Sequence, residues 1–361
     1  MKKIAIWAPL KYSNYGDDLQ AILLGTFIKR QGYEIITFQL EENLSKLYNL
    51  QTANNEKELL SGASLCIIAG GSFLMPINPF KRWLHKNYRE IENSYVRLYK
   101  YCLKFKVPIL PISIGGDGKC HKIISDFPFS RYLIIKSKLF LNGTVRIVND
   151  LNFLKTLGKK FYYYPDMLLQ SGKMMNLDIN NKTNTYKKRI GINFKNGKYL
   201  DKKLLDNIFR YALEHDDLEF YFIKSHMDCV NINYEFMPND KLKNIYCIKY
   251  ETPSQLLSFL SSLHCVISSK LHVGLTAISV GTPFISYRGQ GKTHAFLQSI
   301  GGEWAIVKND INFEELNSLY FKKNKADIFN LYNKEKFLAM TENSKQHYEF
   351  CMQIINELTS K

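Results

Sequence analysis

Lys270 and His272 stand two residues apart, where the sequence changes from a strand pattern to a helix pattern. The largely apolar run 265–268 is typical of a buried strand, and the residues from there to Gly281 are typical of a helix. In such a connection the first helical N–H groups and the positive end of the helix dipole favour an anion. A lysine and an imidazole would add a cation and a proton donor, so the segment predicts phosphate binding and proton transfer. The same pattern also fits an ordinary strand–helix–strand crossover in which these side chains have no chemical role.

Alternating strand and helix patterns extend along most of the chain and must position that segment. Apolar runs predict strands at 4–9, 34–40, 64–69, 107–114, 144–148, 161–164, 189–194, 218–224, 244–250, 265–268 and 282–287. We interpret the aromatic run 161–164 as a buried strand rather than a sugar-binding platform. Helices are predicted at 18–31, 202–214, from Pro253 onwards and at 334–358. Strands that alternate with helices indicate a mostly parallel sheet covered on both faces.

A polar segment rich in Asn and Lys, 176–188, interrupts this alternation and has the composition of an interdomain linker. The chain of 361 residues is also longer than most single cores. We therefore predict an α/β protein with two Rossmann-like domains that face each other across a cleft. The first is expected at 1–175 and the second at 189–330, with a C-terminal helix at 331–361 that packs back across the domains. Open sheets of this kind bind ligands at the carboxyl ends of their strands.

The composition excludes several classes of protein. No run approaches the roughly 18 consecutive apolar residues of a membrane-spanning helix, and the first residues lack a signal peptide core, so a cytoplasmic location is predicted. Seven cysteines without a C-x-x-C pair favour reduced thiols, with Cys66, Cys247 and Cys265 in the core. His226 with Asp228 lacks the third ligand of a metal site, so neither a metal nor a cofactor is expected. The net charge of +16 predicts an anionic small molecule or a lipid-phosphate acceptor rather than nucleic acid.

Several segments, taken in order, resemble motifs of the polysaccharide pyruvyl transferase family. The N-terminal loop Asn14-Tyr15-Gly16-Asp17-Asp18 resembles the family's Asn-x-Gly-Asp loop. Further segments that resemble the family are Gly70-Gly71, Ile114-Gly115-Gly116, Arg146 with Gly158, Pro165-Asp166, His226 with Asp228, Lys270-Leu271-His272, Gly281-Thr282-Pro283 and Lys292 with Phe296. Each match is weak alone, but the shared order is fairly specific and covers most of the chain.

The resemblance implies an enzyme that moves the enolpyruvyl-derived group of phosphoenolpyruvate onto sugar hydroxyls of a bacterial surface-polysaccharide precursor, forming a ketal. It also implies a fold similar to the two-Rossmann GT-B architecture of many glycosyltransferases. His272 is then the expected general acid and Asp17 the expected base. Residues expected to bind the donor are Arg146, Lys270, Leu271, Lys292, Gly115 and Gly116, and those expected to bind the acceptor are Asn14, Asp18, Gly70 and Gly71. The expected partners are phosphoenolpyruvate and a lipid-linked saccharide, with peripheral contact at the inner membrane surface and no nucleic acid.

Three positions depart from the family's pattern. Lys270 stands where the family has Arg, Val273 where it has Gly, and Ile147 where it has Asp. Lysine is a point charge and is not equivalent to a bidentate guanidinium at a phosphate, so a different anionic donor stays open. The alternatives are a glycosyltransferase of the same architecture that uses a nucleotide-sugar, and a non-catalytic basic scaffold that binds anionic glycans or membranes.

Most candidate residues also have a purely structural interpretation. Asp17 or Asp18 would serve as the cap of the first helix, because aspartate is a preferred cap residue. The paired glycines would shape turns without binding a ligand. Arg146 would pair with an acidic neighbour such as Asp150, and Lys292 would belong to a solvated helix start. These interpretations stay open at the level of sequence.

Overall fold

The computed structural model describes residues 2–10, 14–77, 84–116, 127–177, 187–195, 202–226, 244–308 and 312–359. The chain forms two compact units. Unit 1 contains Met1–Ser13, Asp17–Met167 and Glu342–Lys361, and unit 2 contains Asn14–Gly16 and Leu168–Thr341. The first residues of the first helix therefore group with unit 2, and the end of the chain groups with unit 1.

Unit 1 is built on a five-stranded parallel sheet in the order β3-β2-β1-β4-β5. Its strands are β1 (Lys3–Trp7), β2 (Glu34–Phe38), β3 (Gln51–Ala53), β4 (Ala63–Ala69) and β5 (Ile109–Ile112). A separate parallel pair is formed by β6 (Thr144–Val145) and β7 (Tyr162–Tyr163). The central strands β1 and β4 are apolar and buried beyond their first one or two residues, as expected for a parallel sheet covered on both faces.

The helices of unit 1 follow the strands in regular alternation. They are α1 (Tyr15–Arg30), α2 (Glu42–Leu47), α3 (Glu56–Leu60), α4 (Lys86–Phe105), α5 (Phe129–Lys136), α6 (Asn149–Thr156) and, near the end of the chain, α15 (Gln346–Thr359). The strand order reverses between β1 and β4, which is where sheets of this type bind ligands. The connections that leave these two strands carry the segment before α1 and the pair Gly70-Gly71.

Unit 2 has a six-stranded parallel sheet in the order β10-β9-β8-β11-β12-β13, the strand order of a Rossmann fold. Its strands are β8 (Lys188–Asn193), β9 (Leu218–Lys224), β10 (Ile245–Lys249), β11 (Cys265–Ser268), β12 (Phe284–Tyr287) and β13 (Ile306–Val307). The order reverses between β8 and β11, so the connection from β11 to the following helix lies at the ligand-binding position of this sheet.

The helices of unit 2 are α7 (Ser171–Met174), α8 (Lys202–Glu214), α9 (Pro253–Ser262), α10 (Leu271–Ser279), α11 (Gly291–Ser299), α12 (Phe313–Leu316), α13 (Lys325–Phe329) and α14 (Lys334–Ser344). Pro253 occupies the start of α9 as predicted, and the Thr252 side chain caps this helix by accepting from Gln255 N at 3.3 Å. Within the described part of the chain, no helix combines the length and the apolar character needed to cross a membrane.

The strands predicted at 218–224 and 265–268 and the helix predicted at 202–214 are confirmed with the same bounds. The single helix predicted at 334–358 is wrong, because a turn at Lys345 separates α14 from α15. There the Lys345 N–H bonds to Glu342 O, three residues back, instead of continuing the four-residue pattern. The first helix begins at Tyr15, three residues earlier than predicted.

Two further predictions are wrong because the residues lie at exposed edges. Cys66 and Cys265 are buried as expected, but Cys247 is exposed, since β10 is an edge strand of its sheet. The aromatic run 161–164 is not a buried strand: Tyr162 and Tyr163 of β7 are 38% and 37% exposed.

Candidate functional site

Lys270 and His272 lie at the start of α10, directly after β11. Lys270 is the N-cap residue and has an extended backbone, so His272 is the second residue of the helix. Ser268, which ends β11 and is fully buried, accepts a hydrogen bond from Lys270 N at 2.9 Å. Because the first N–H groups of a helix have no acceptor within it, this turn brings backbone donors, an ammonium and an imidazole together.

A buried asparagine ties this connection to the neighbouring strands. Asn193, the last residue of β8, has no solvent exposure. Its Oδ1 accepts from Ser268 Oγ at 2.9 Å, and its Nδ2 donates to Ile223 O at 2.7 Å and to Ser225 Oγ at 3.0 Å. The sequence analysis missed Asn193, whose only signal is a polar residue that ends an otherwise apolar strand. These bonds fix the end of β11 relative to β8 and β9, and β11 leads into the helix that carries His272.

The segment Asn14–Gly16 packs against this edge of unit 2. Tyr15 N donates to Ser225 O at 3.1 Å. Gly16 lies so close to the imidazole that a Cβ at this position would be 1.8 Å from His272 Nδ1. Any other residue at position 16 would collide with the imidazole, so the packing requires glycine here. Two motifs that the sequence analysis treated separately meet at the His272 ring.

Asn14 occupies the cap position of α1, since its Oδ1 accepts from Gly16 N at 3.4 Å. The alternative that Asp17 or Asp18 caps this helix is wrong, because both lie inside its first turn. Both residues are buried, with 8% and 1% exposure, at the helix end where a negative charge is favourable. The predicted base, Asp17, is thus held on a helical turn with a fixed backbone.

A second helix start in unit 2 holds Lys292. It is the half-buried second residue of α11, and the alternative of an ordinary solvated helix start stays open. The hydroxyls of Ser286, in β12, and of Thr293 are buried, and neither has a hydrogen-bond partner among the described residues. A Cβ at Gly289 would lie 2.3 Å from Ser286 Oγ, so the connecting loop passes directly over this hydroxyl. Buried hydroxyls without partners beside a helix N-terminus suit an anionic ligand that supplies acceptors.

In unit 1, Arg146 is buried and forms an ion pair with Asp166, with 3.0 Å between Nη1 and Oδ2. Its Nη2 donates to Gly71 O at 3.0 Å. Gln20 completes this network, because its Oε1 accepts from Gly71 N at 3.2 Å and its Nε2 donates to Asp166 Oδ1 at 3.5 Å. A Cβ at Gly70, where φ is +57°, would lie 1.9 Å from Gln20 Oε1. Each terminal nitrogen of Arg146 thus donates at least one hydrogen bond to a protein atom.

Gly115 and Gly116 pack tightly beside this network. Gly116 N donates to Oδ2 of the fully buried Asp150 at 2.8 Å. A Cβ at Gly115 would lie 3.1 Å from Arg146 Nε. Neither glycine has a positive φ, so close approach rather than an unusual backbone accounts for them here. Their predicted contact with a donor stays a prediction.

His347 of α15 supports the same region and was missed by the sequence analysis, because a histidine on an amphipathic helix forms no motif. It is fully buried, its Nδ1 lies 2.7 Å from Thr144 Oγ1, and its Nε2 lies 3.0 Å from Pro165 O. A carbonyl only accepts, so Nε2 donates and Nδ1 accepts from the hydroxyl. Burial lowers the pKa of His347 to about 4, and the ring is neutral. This histidine therefore holds the segment before Asp166 in place.

The predicted site residues divide between the two units. Asn14, Lys270, Leu271, His272 and Lys292 lie in unit 2, and Asp17, Asp18, Gly70, Gly71, Gly115, Gly116 and Arg146 lie in unit 1. His226 follows β9, and Asp228 lies outside the described residues. Among the described residues, no group of three or more His, Cys, Asp or Glu side chains is arranged to hold a metal ion.

Comparisons with known proteins bear on both the family and the fold. Residues 14–290 match the family model described as polysaccharide pyruvyl transferase. None of the curated proteins compared with the chain matches it significantly.

Solved structures resemble the chain over its whole length. A co-structure of MnaA from S. aureus with UDP has 13% identity and a TM-score of 0.65, covering 100% of this chain and 97% of that one. A UDP-GlcNAc 2-epimerase from Neisseria meningitidis, bound to UDP-GlcNAc, has 10% identity and a TM-score of 0.63, covering 98% and 100%. A glycosyltransferase from Rickettsia africae has 12% identity and a TM-score of 0.53, covering 99% and 98%. At these identities the likeness shows the fold alone, the two-Rossmann GT-B-like fold that was predicted.

Proposed function

Because the chain belongs to the polysaccharide pyruvyl transferase family, we propose that it transfers the enolpyruvyl-derived group of phosphoenolpyruvate onto two hydroxyls of a saccharide, forming a ketal. The acceptor in this proposal is a lipid-linked precursor of a bacterial surface polysaccharide. The observation that carries the proposal is the packing of Gly16 against His272 Nδ1, which joins two motif segments at one titratable ring.

The reaction makes four demands on a site. The methylene carbon of the donor must gain a proton, and positive charge then develops at the carbon that becomes the ketal. The bond from that carbon to the phosphate oxygen breaks, while two bonds to sugar oxygens form. Of the two hydroxyl protons released, one balances the new methyl group and the other leaves with the phosphate. A proton donor, a base and cationic groups for the phosphate and carboxylate are therefore required.

Unit 2 offers a proton donor and cationic groups. In the proposal, His272 protonates the methylene carbon or the departing phosphate, since an imidazole titrates near neutral pH. Lys270 and the first N–H groups of α10, including that of Leu271, bind the donor's negative charge. Lys292 at the start of α11 supplies a second cation.

Residues of the first helix and of unit 1 take the remaining roles in the proposal. Asp17 removes a proton from an acceptor hydroxyl, and Asn14 and Asp18 bind the acceptor. Gly70 and Gly71 are assigned to the acceptor, and Arg146 with Gly115 and Gly116 to the donor. Arg146 holds this part of unit 1 together, because it pairs with Asp166 and donates a hydrogen bond to Gly71 O.

The decisive experiment incubates the protein with labelled phosphoenolpyruvate and a panel of lipid-linked saccharides. We expect phosphate release together with a pyruvyl mass on one acceptor. His272→Ala should lower the turnover by about 10²–10⁴-fold, the usual contribution of a general acid. His215→Ala, a half-buried histidine of the same unit, serves as the matched control and should retain turnover. Wild-type turnover in His272→Ala would remove this ring from the mechanism.

The donor itself is tested by substitution of Lys270. Lys270→Gln removes the charge at similar length, and the expected loss in affinity for phosphoenolpyruvate is roughly tenfold or more, since a hydrogen bond to a charged group contributes about 1.5–3 kcal/mol. Lys270→Arg keeps the charge and should keep most of the affinity. Equal affinity in all three proteins, measured by calorimetry, would show that the donor does not contact this side chain.

A glycosyltransferase that uses a nucleotide-sugar is the second candidate, because the similar structures include proteins solved with UDP and with UDP-GlcNAc. Thermal-shift titration separates the two. Stabilisation by phosphoenolpyruvate and not by UDP or UDP-GlcNAc supports pyruvyl transfer. The reverse pattern supports glycosyl transfer and contradicts our proposal.

A further inference from the structure

Helix α4 carries a solvent-exposed stripe that the proposed reaction does not use. Arg89, Val96, Lys100, Leu103 and Lys104 are all exposed, and their spacing places them on one face of the helix. We call these five residues the outer stripe. Its two apolar members are 52% and 48% exposed, so the stripe combines three cations with uncovered apolar surface.

Contacts on both flanks fix the direction in which the outer stripe points. On one flank, Arg97 Nε donates to Glu56 Oε2 at 2.9 Å and ties α4 to α3. On the other flank, the Glu92 carboxylate accepts hydrogen bonds from Ser130 and from Arg131 and ties α4 to α5. The opposite face of α4 is buried in the core. The helix therefore cannot roll to bury its stripe.

An exposed aromatic residue lies next in the chain to the contact at Glu92. Phe129 directly precedes Ser130 and is 67% exposed, the largest value among the exposed large hydrophobics of the described residues. An aromatic ring of this exposure beside a cationic, partly apolar helix face has the composition of surfaces that bind lipid bilayers.

The exposed charge on this helix is mostly positive. Glu92 is half-buried, and Glu90, whose side chain is 38% exposed, forms an ion pair with Lys86 at 4.0 Å. The other exposed charged residues of α4 are cations, namely Lys86, Arg89, Arg97, Lys100 and Lys104. The whole chain carries a net charge of +16. This charge is complementary to an anionic phospholipid surface.

We propose that the outer stripe, together with Phe129, docks unit 1 on the surface of an anionic phospholipid bilayer. The cations lie over the lipid headgroups, and Val96, Leu103 and Phe129 enter the interface between headgroups and acyl chains. The reason for such docking rests on the proposed function, because a lipid-linked acceptor is presented at a membrane surface. Its physical basis is independent of that function.

Co-sedimentation with vesicles tests the proposal. The full chain is mixed with vesicles of equal parts phosphatidylglycerol and phosphatidylcholine, and with vesicles of phosphatidylcholine alone. We expect binding to the first kind, weakened by added salt. The triple variant Arg89→Gln, Lys100→Gln, Lys104→Gln should lower the partition coefficient by about a hundredfold, since each cation contributes about 1 kcal/mol near an anionic surface.

A charge-matched control separates this surface from a general effect of net charge. Lys322, Lys323 and Lys336 are exposed residues of unit 2, and changing all three to Gln should lower the partition coefficient by about threefold or less, because distant charges are screened. Phe129→Ser should weaken binding at high salt more than at low salt. Circular dichroism and the melting temperature establish that each variant is folded.

Three results would overturn the proposal: absence of binding to the phosphatidylglycerol vesicles, equal losses in the two triple variants, or binding to soluble polyglutamate with none to vesicles. Pyruvyl transfer to a water-soluble saccharide, measured without vesicles, should be unchanged in the α4 triple variant. A failed transfer reaction and a failed docking surface are thus distinguished.

Discussion

Gly16→Ala is the sharpest test of how this protein assembles its site. The new Cβ would lie 1.8 Å from His272 Nδ1, whereas ordinary van der Waals contact begins at 3.4 Å. The imidazole must therefore retreat by 3.4 − 1.8, about 1.6 Å, if the helix stays in place. A misplacement of about 1 Å in a catalytic geometry can cost about 10²-fold in rate. We expect kcat to fall by at least about 10²-fold. We also expect some loss of stability, because the new Cβ would lie 2.8 Å from the His272 Cβ, which side-chain rotation does not move. The helix propensity gained from alanine, about 1 kcal/mol, offsets only part of that cost.

The assay is phosphate release from phosphoenolpyruvate with the acceptor that the saccharide panel identifies. Gly25→Ala in the same helix is the matched control, since a Cβ there would lie 3.3 Å from the flexible ends of Ile6 and Leu50. It should keep its activity. The double variant with His272→Ala gives the refuting result. If Gly16→Ala acts through the ring, it should cost nothing further in the His272→Ala background, and additive losses would show that the reasoning is wrong.

Three further predictions concern the network in unit 1. Asp166→Asn should lower the free energy of unfolding by about 3–5 kcal/mol in urea titrations, because it leaves the buried Arg146 without its charge partner; an unchanged midpoint would contradict this. His347 is neutral in the folded state with a pKa of about 4, below its value near 6.5 in the unfolded chain. Its contribution, roughly 3 kcal/mol, is present above pH 6.5 and lost as the pH falls toward 4, so His347→Gln should flatten the pH dependence of the melting temperature in this range. Gly70→Ala should destabilise unit 1 by more than the about 1–2 kcal/mol that a left-handed φ costs, because its Cβ would also meet Gln20; a smaller loss in thermal unfolding would show that Gln20 simply moves away.

The sequence predicted the alternation of strands and helices well because buried parallel strands are continuous apolar runs. It predicted the start of α10 for the same reason: β11 is apolar up to Ser268, and the change of pattern is abrupt. Short elements were missed. β3 has three residues and only one of them is buried, so it carries no period that a pattern can reveal.

The candidate site was only partly predictable, because its geometry depends on contacts between residues far apart in the chain. Glycine at position 16 suggests a turn, yet the structure uses it inside a helix to admit the His272 ring. Gln20 contacts the predicted motifs from α1, which is buried along most of its length, and His347 does so from the amphipathic α15. Neither residue belongs to a motif. Only tertiary packing distinguishes them from surface residues.

The two units use the same topology in different ways. Each has a parallel sheet whose order reverses at its first and fourth strands, the position at which such sheets bind ligands. In unit 1 the groups at that position bond to one another: the Arg146 guanidinium meets Asp166 and Gly71 O, and a charge already compensated in this way gains less from a new anion. In unit 2 the corresponding connection places a lysine and a histidine at a helix N-terminus, where backbone donors accompany them. The edge of unit 2 therefore offers the stronger attraction for an anion, and Arg146 of unit 1, assigned to the donor in the proposal, would add a weaker one.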